Sequence, residues 1–537
     1  MTRRNADLIA EKLHAAGCRF AYGIPGGEVL TIMDALHQAG IHFRLTKHEN
    51  FAGFMAEGSW HATGAPGILV ATIGPGVANA VNVVANAYQD RVPLLVITGC
   101  LDDADADTYT HQLFDHRAVF KDIVKATYKA TGQSLDRVLD KAITEMTSGQ
   151  PGPVHLDLPI KVADAAAAAP TAPPPPAAAP AVAAASTTLE QARAMLASAQ
   201  KPIVVAGVDA LNDGAADALK VFIAATGAPL ITTYKAKGMV PESDPLVLGG
   251  AGLSPLADTH LLPLLQGADC IILAGYDPIE MRVGWRNPWP QEAPVIDLTP
   301  VLRTHGMHDV AVTLMGSVGH NLAVLAKDHE RRDVWAGGEP AAARTALERD
   351  FAPEREGWGP ATAFRTLNRV LPKNTVITAD SGAHRILLSQ MWHAEAPREI
   401  LQSSALCTMG CAVALAAGYK EAAPQRNVTA FVGDAGLEMT LGDLATVRDL
   451  GLSVPIVVLI DDSLALIEMK QRGSQLPNVG VDFSGTDFVK VAEGIGGHGV
   501  WIDDVETLER EATAALNRET FTLLCVRIGR KAYDGKF

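Results

Sequence analysis

The chain is expected to be an α/β protein made of three doubly wound parallel-sheet domains. Three observations lead there. Short apolar runs alternate with helical patterns in three successive sets, a Pro/Ala-rich stretch divides the first set from the second, and 537 residues exceed what one hydrophobic core organises. A hydrophobic content of 48% with 20% charged residues is ordinary for a globular chain, so a fibrous or disordered class is set aside.

The opening segment, MTRRNADLIAEKLHAAG, has too short an apolar run for a signal peptide and reads as an amphipathic helix with Leu8, Ile9 and Leu13 on one face. The runs FAYGIP, GILVATIG, PLLVITG and PVHLDLP then predict the strands of a first domain over residues 1–161. Residues 162–186, VADAAAAAPTAPPPPAAAPAVAAAS, have no polar-apolar period and hold four consecutive prolines, which remove backbone donors; they are expected to form a surface linker. A second set, KPIVVAG, APLITTY, CIILAGY and APVIDLT, predicts a central domain over 187–330. The charged stretch 331–358, with Gly337, Gly338 and Pro340, is expected to connect it to the third domain, 359–537, whose strands are NTVITAD, NVTAFVGD, PIVVLIDD and FTLLCVRIG.

A net charge of −15 disfavours nucleic acid and acidic membranes as partners, and no apolar span reaches 18 residues, so a cytoplasmic protein is expected. Cys18, Cys100, Cys270, Cys407, Cys411 and Cys525 are too few and too scattered for a disulfide framework. Cys407 and Cys411 are expected as buried thiols near a helix start, because no other Cys or His at ligand spacing completes a metal site.

The segment from Gly433 to Asp461, GDAGLEMTLGDLATVRDLGLSVPIVVLID, carries the strongest chemical signal. Each acid follows an apolar run, so in a parallel sheet Asp434 and Asp461 both reach the carboxyl ends of their strands, where ligands of such sheets collect. Two carboxylates there suit magnesium, which is typically held by one or two carboxylates together with phosphate oxygens. A plain strand, helix, strand unit whose loop acids cap helices also fits this segment.

At this point the chain resembles the thiamine diphosphate enzymes, which carry a Gly-Asp-Gly or Gly-Asp-Ala turn followed about one helix later by Asn. The resemblance implies Asp434 as first metal ligand, Asp461 where the family usually has Asn, and Ser463 as a ligand through its backbone carbonyl, with Gly433, Ala435 and Leu466 beside the cofactor. The extra negative charge of Asp461 is a departure that the metal must offset.

Other segments carry the resemblance along nearly the whole chain outside the linker. In TKHENFAGFMAEGSWHATG, just before a helix, Glu49 takes the place of the glutamate that hydrogen-bonds the aminopyrimidine ring, a role served by a carboxyl group in a shielded site; as a residue it also reads as an acid at a helix start. The turn in GILVATIGPGVANAVNVVANAYQDRVPLLVITG places Gly74, Pro75 and Asn79 at the cofactor, with Asp90 at the far end of the helix, as in the acetolactate synthase branch. YGIPGGEVLTIMDAL resembles the same branch, which implies Gly26 and Gly27 beside the reacting carbon; an ordinary glycine turn is the other reading. In THQLFDHRAVFKDIVKATY, Gln112 falls on the family's glutamine and Lys121 on its basic residue, while His111 replaces Phe and Leu113 replaces Glu; a surface-loop histidine is the other reading of His111.

ITADSGAHRILLSQ resembles the family loop near the diphosphate, which implies that role for Gly382 and His384, and LCTMGCAVALAAGYK resembles the stretch whose methionine wedges between the cofactor rings, which implies Met409; a plain core methionine is its other reading. In SLALIEMKQ, Lys470 stands where acetolactate synthases use a tryptophan, so their acceptor preference does not carry over; a solvent-facing lysine fits equally. Relatives bind FAD, ADP or nothing in the central domain. GYDPIEMRVGWRNPW lacks the Arg-Phe-Asp-Asp-Arg order of flavin-bearing synthases, with Arg282 one step away, so FAD is expected to be absent.

The resemblance implies a thiamine diphosphate- and Mg2+-dependent acetolactate synthase-like carboligase that decarboxylates a 2-oxo acid such as pyruvate and transfers the enamine to a second carbonyl. The alternatives are a simple decarboxylase or carbon-carbon lyase of the same family, and, further off, a non-catalytic homologue. A nucleotide-cofactor enzyme on Rossmann-like domains without thiamine is a further class, against which counts that no GxGxxG turn follows any predicted apolar strand in this sequence. Expected partners are small molecules, with a homodimer or homotetramer sharing active sites between chains.

Overall fold

The computed structural model describes residues 3–168, 181–303, 305–355 and 357–537; the middle of the predicted linker, 169–180, lies outside the described residues. Three six-stranded sheets follow one another along the chain. The first holds β1 (Phe20–Gly23), β2 (His42–Leu45), β3 (Gly67–Ala71), β4 (Leu94–Cys100), β5 (Ala126–Lys129) and β6 (Val154–Pro159) in the order β2-β1-β3-β4-β6-β5. The second holds β7 (Pro202–Ala206), β8 (Leu230–Thr233), β9 (Val247–Ala251), β10 (Cys270–Ala274), β11 (Val295–Thr299) and β12 (Val312–Met315) in the order β12-β11-β10-β7-β8-β9. The third holds β13 (Val376–Ala379), β14 (Ile400–Gln402), β15 (Val428–Gly433), β16 (Pro455–Ile460), β17 (His498–Ile502) and β18 (Thr522–Arg527) in the order β14-β13-β15-β16-β18-β17.

Every ladder is parallel, as strands joined by crossover helices require. The first and third sheets share one strand order, although no repeat is visible in their sequences. The middle sheet has the doubly wound order of dinucleotide-binding folds. The central strands β3, β4, β7, β10 and β16 are buried at every position, which is why they read as continuous apolar runs.

The N-terminal helix runs Asn5–Ala15 and buries Leu8, Ile9 and Leu13 as its pattern predicts. The predicted connector is not bare loop: it contains the helix Glu339–Asp350, Leu347 is buried, and Trp335 donates its indole N–H to the Pro202 carbonyl, so the segment joins the core between the second and third sheets.

The first and third sheets are joined by two crossing helices, Glu49–Thr63 and Cys411–Ala422, within one apolar core. Small residues let their backbones touch. A Cβ at Gly58 would fall 2.2 Å from the Leu415 carbonyl oxygen, and one at Gly418 would fall 2.0 Å from that of Met55. Among the described residues, no helix is long and apolar enough to cross a membrane.

Candidate active site

In the third sheet the order reverses between β13 and β15, and a crevice opens beyond the carboxyl ends of strands at such a reversal. A cleft of about 180 Å³ lies there, lined by residues after β13 (Ser381, Gly382, His384), at and after the end of β15 (Gly433, Asp434, Ala435) and after β16 (Asp461, Ser463, Leu466), with Met409 and Cys407 from the segment before the helix Cys411–Ala422. Asp434 is buried at the end of β15. Its Oδ1 accepts from the Ala435 amide (2.8 Å) and its Oδ2 from the amides of Asp461 (3.1 Å) and Asp462 (2.8 Å).

Burial raises the Asp434 pKa, and burial together with the Asp434 charge pushes Asp461 up to about 8. Two adjacent buried carboxylates, neither of them ion-paired among the described residues, are what a hard cation would relieve, drawing the proton off Asp461 as it binds. The donor set is all oxygen, which fits magnesium. His384, in the first turn of the helix Ala383–Met391, is held neutral by burial, with its pKa lowered to about 3, and its buried Nε2 has no partner among the described residues. An unpartnered imidazole nitrogen beside helix-start amides fits a phosphate oxygen.

The first sheet has its own reversal at the matching place, between β1 and β3. Glu49 is the first residue of its helix rather than the residue before it, with His48 as the capping residue. The Glu49 side chain is 3% exposed; Oε2 accepts from Asn79 Nδ2 (3.0 Å), and Gly76 lies close enough that a Cβ there would be 3.2 Å from Oε1. The helix Pro75–Gln89 begins at the Gly-Pro-Gly turn itself. Gly74 has φ 72°, and a Cβ on it would meet that of Gln112 at 2.8 Å. Gly26 abuts Thr72, whose hydroxyl donates to Glu28 (2.7 Å), while Gly27 faces open space.

Within one chain these two sets are not brought together. Every residue lining the cleft falls between 381 and 533, and Glu49, Asn79, Gly74, Pro75, Gly26 and Gly27 gather at the other reversal. His111, Gln112 and Lys121 are exposed, His111 packing edge-on against Tyr109, and Lys470 is exposed as well. Cys407 departs from expectation: it is half-buried, with φ 55°, and its thiol meets Arg385 Nη2 at 3.2 Å, while Cys411 is fully buried at the helix start.

Sequence reasoning missed Asp380 and Tyr533. Asp380 is fully buried directly after β13, accepts from the Ser381 amide, and is pushed up to about 7 by burial. It stands in the segment TADSGAH, where its position after an apolar run was the available signal. Tyr533, whose buried hydroxyl has no hydrogen-bond partner among the described residues, reaches the cleft from the C-terminal tail, and no local pattern marks it.

Three parts of the chain match successive domains of one family. Residues 3–119 match the N-terminal TPP binding domain of thiamine pyrophosphate enzymes, 189–325 the central domain, and 380–526 the C-terminal TPP binding domain. The chain is 30% identical over 526 residues to a probable 2-ketoarginine decarboxylase of Pseudomonas aeruginosa, covering 95% of this chain and 91% of that one. It is 29% identical over 541 residues to the acetolactate synthase isozyme 1 large subunit of Escherichia coli, covering 97% and 93%. It is 27% identical over 546 residues to a probable acetolactate synthase large subunit of Methanocaldococcus jannaschii, covering 97% and 91%. The chain therefore belongs to the thiamine pyrophosphate enzyme family. Within it, this is a thiamine diphosphate-dependent enzyme of the acetolactate synthase-like group, of transferase or lyase type.

Proposed function

We propose that the protein is a magnesium-dependent carboligase that decarboxylates a 2-oxo acid such as pyruvate and joins the remaining unit to a second carbonyl compound. The observation that carries this reading is the buried Asp434 and Asp461 pair at the ends of adjacent strands, above a cleft with an unpartnered His384 Nε2. Among the described residues, no three His, Cys, Asp or Glu side chains gather as a metal site, so two carboxylates and the Ser463 carbonyl would hold magnesium together with phosphate oxygens. His384, whose protonation the diphosphate charge would favour, would then donate to it through Nε2, and Met409 and Leu466 would support the rings. When bound, thiamine diphosphate supplies a nucleophilic carbon and the electron sink for loss of carbon dioxide.

Glu49 holds and returns a proton at its carboxyl oxygens, and Asn79 fixes which oxygen is free to do so. Because the cleft contains no residue from the first sheet, Glu49 is read as serving the cleft of a second chain, in a homodimer or homotetramer.

The central crevice is read as taking no flavin. Where the middle sheet reverses between β7 and β10, Asp209, Asp277 and Asp297 are buried together. Arg303 reaches Asp209 at 2.9 Å, Arg91 reaches Asp277 at 2.7 Å, and Gln150 donates to both carboxylates. Three carboxylates whose countercharges are already engaged would repel a diphosphate rather than cradle it. Purified protein should show no flavin absorbance and gain no activity from added FAD.

A simple decarboxylase is the second reading, favoured by His111 and Leu113 in the acceptor loop and by the exposed Lys470. Product analysis after incubation with pyruvate, thiamine diphosphate and magnesium separates the two: acetolactate supports ligation, whereas acetaldehyde alone overturns it in favour of decarboxylation.

A further inference from the structure

The helix Pro75–Gln89 and its C-cap Asp90 present three polar side chains at four-residue spacing, Asn82, Asn86 and Asp90, which therefore share one face. All three bind the same loop of the third domain, Ser403–Thr408. Thr408 donates its hydroxyl to Asn82 Oδ1 (3.2 Å), and Ser403 donates its hydroxyl to Asn86 Oδ1 (2.6 Å). Asp90, 1% exposed, accepts the backbone amides of Ser404 (3.0 Å) and Ala405 (2.9 Å). The loop closes on itself where the Thr408 amide donates to Ser403 Oγ (2.9 Å).

Two further contacts hold the stripe in place. Lys235, from the segment after β8, brings its ammonium to 3.1 Å of Asp90, so first, central and third domains meet at one carboxylate. Asn86 Nδ2 donates to the buried Glu57 on the helix that begins with Glu49 (3.1 Å). The clamped loop delivers Cys407 and then Met409 to the cleft.

We propose that Asn82, Asn86 and Asp90 are positioning residues that set the Ser403–Thr408 loop, and with it Cys407 and Met409, for cofactor binding. The proposal rests on the reading of the cleft as the cofactor site. A loop without regular structure holds a cleft-lining side chain in one place only if its backbone groups are engaged from outside. Here that support comes from a rigid helix whose first turns also carry Gly76 and Asn79 against Glu49.

Cys407 is a built-in reporter, because it is half-buried while the other five cysteines are buried. The test measures iodoacetamide labelling of each cysteine by mass spectrometry, beside the affinity for thiamine diphosphate with magnesium, in Asn82→Ala, Asp90→Asn, Thr408→Val and Thr408→Ser. Loss of one such hydrogen bond should speed labelling at Cys407 alone and weaken cofactor binding, each by about threefold to tenfold. Thr408→Ser, which keeps the hydroxyl, should behave as the wild type. Unchanged Cys407 labelling in the first three variants overturns the proposal, as does equal acceleration at all six cysteines, which would make Asp90 a general brace of the fold. A wild-type protein that binds no thiamine diphosphate defeats the cofactor reading instead, and the labelling pattern still decides whether the clamp exists.

Discussion

Gly58 lies directly against Leu415: a Cβ on the glycine would fall 2.2 Å from the leucine carbonyl oxygen and 2.9 Å from the Tyr419 amide nitrogen. Both obstacles are backbone, so no side-chain rotation relieves them. Gly58→Ala should force the helices Glu49–Thr63 and Cys411–Ala422 apart and cost about 1–3 kcal/mol, read as a lower midpoint of urea unfolding. Gly418→Ala, which meets the Met55 carbonyl in the same crossing, should cost a similar amount. The double variant should lose less than the sum, because the first separation makes room for the second.

Glu49→Gln keeps an oxygen for Asn79 but cannot exchange a proton. Carbon dioxide release from the active 2-oxo acid should fall by roughly 10²–10⁴-fold, while thiamine diphosphate still binds. Full release by the variant would remove Glu49 from its assigned role.

The charge of Asp461 beside Asp434 should tie cofactor binding to magnesium. Asp461→Asn keeps an oxygen ligand and removes one charge. The ratio of thiamine diphosphate affinities at high and low magnesium should therefore shrink by about tenfold, whereas Asp434→Asn should bind poorly at all magnesium concentrations. Titration of the cofactor at two fixed magnesium levels measures both.

Asp443 links the third domain to the segment before Glu49 by accepting the Lys47 amide (2.7 Å), and burial pushes its pKa up to about 6. A raised folded-state value means that its contribution to stability is complete below about pH 4 and is lost as pH rises through about 6, at most about 3 kcal/mol. Asp443→Asn should escape that loss. Its stability relative to the wild type should rise between pH 4.5 and pH 7, and a constant difference in urea midpoints would show that Asp443 does not titrate in this range.

The strands that the apolar runs revealed are the interior ones. β2, β5, β9, β12, β14 and β17 escaped, and each is a sheet edge. His42–Leu45 has no buried position, Ala126–Lys129 is half-buried throughout, and Ile400–Gln402 is three residues long, so none offers a continuous apolar run. The cleft was legible where chemistry follows a strand end, as at Asp434, Asp461 and His384. The clamp was not. Ser403 finds Asn86 across 317 positions of sequence, and an asparagine on a helix does not announce which loop it will meet. Asp90 was visible as the end of its helix, yet its two amide donors and its lysine come from two other domains.

Glu49 and the Asp434 cleft stand at matching reversals of two sheets with one strand order, and a solitary chain holds both without joining them. The consequence is stoichiometric. Specific activity should decline once the protein is diluted enough for chains to separate. Glu49→Gln and Asp434→Asn chains, each strongly impaired alone, should restore one another when unfolded and refolded together, since on the proposed reading, in which Glu49 serves the cleft of a second chain, a mixed pair keeps one intact centre of two. Random pairing then recovers about a quarter of the wild-type centres.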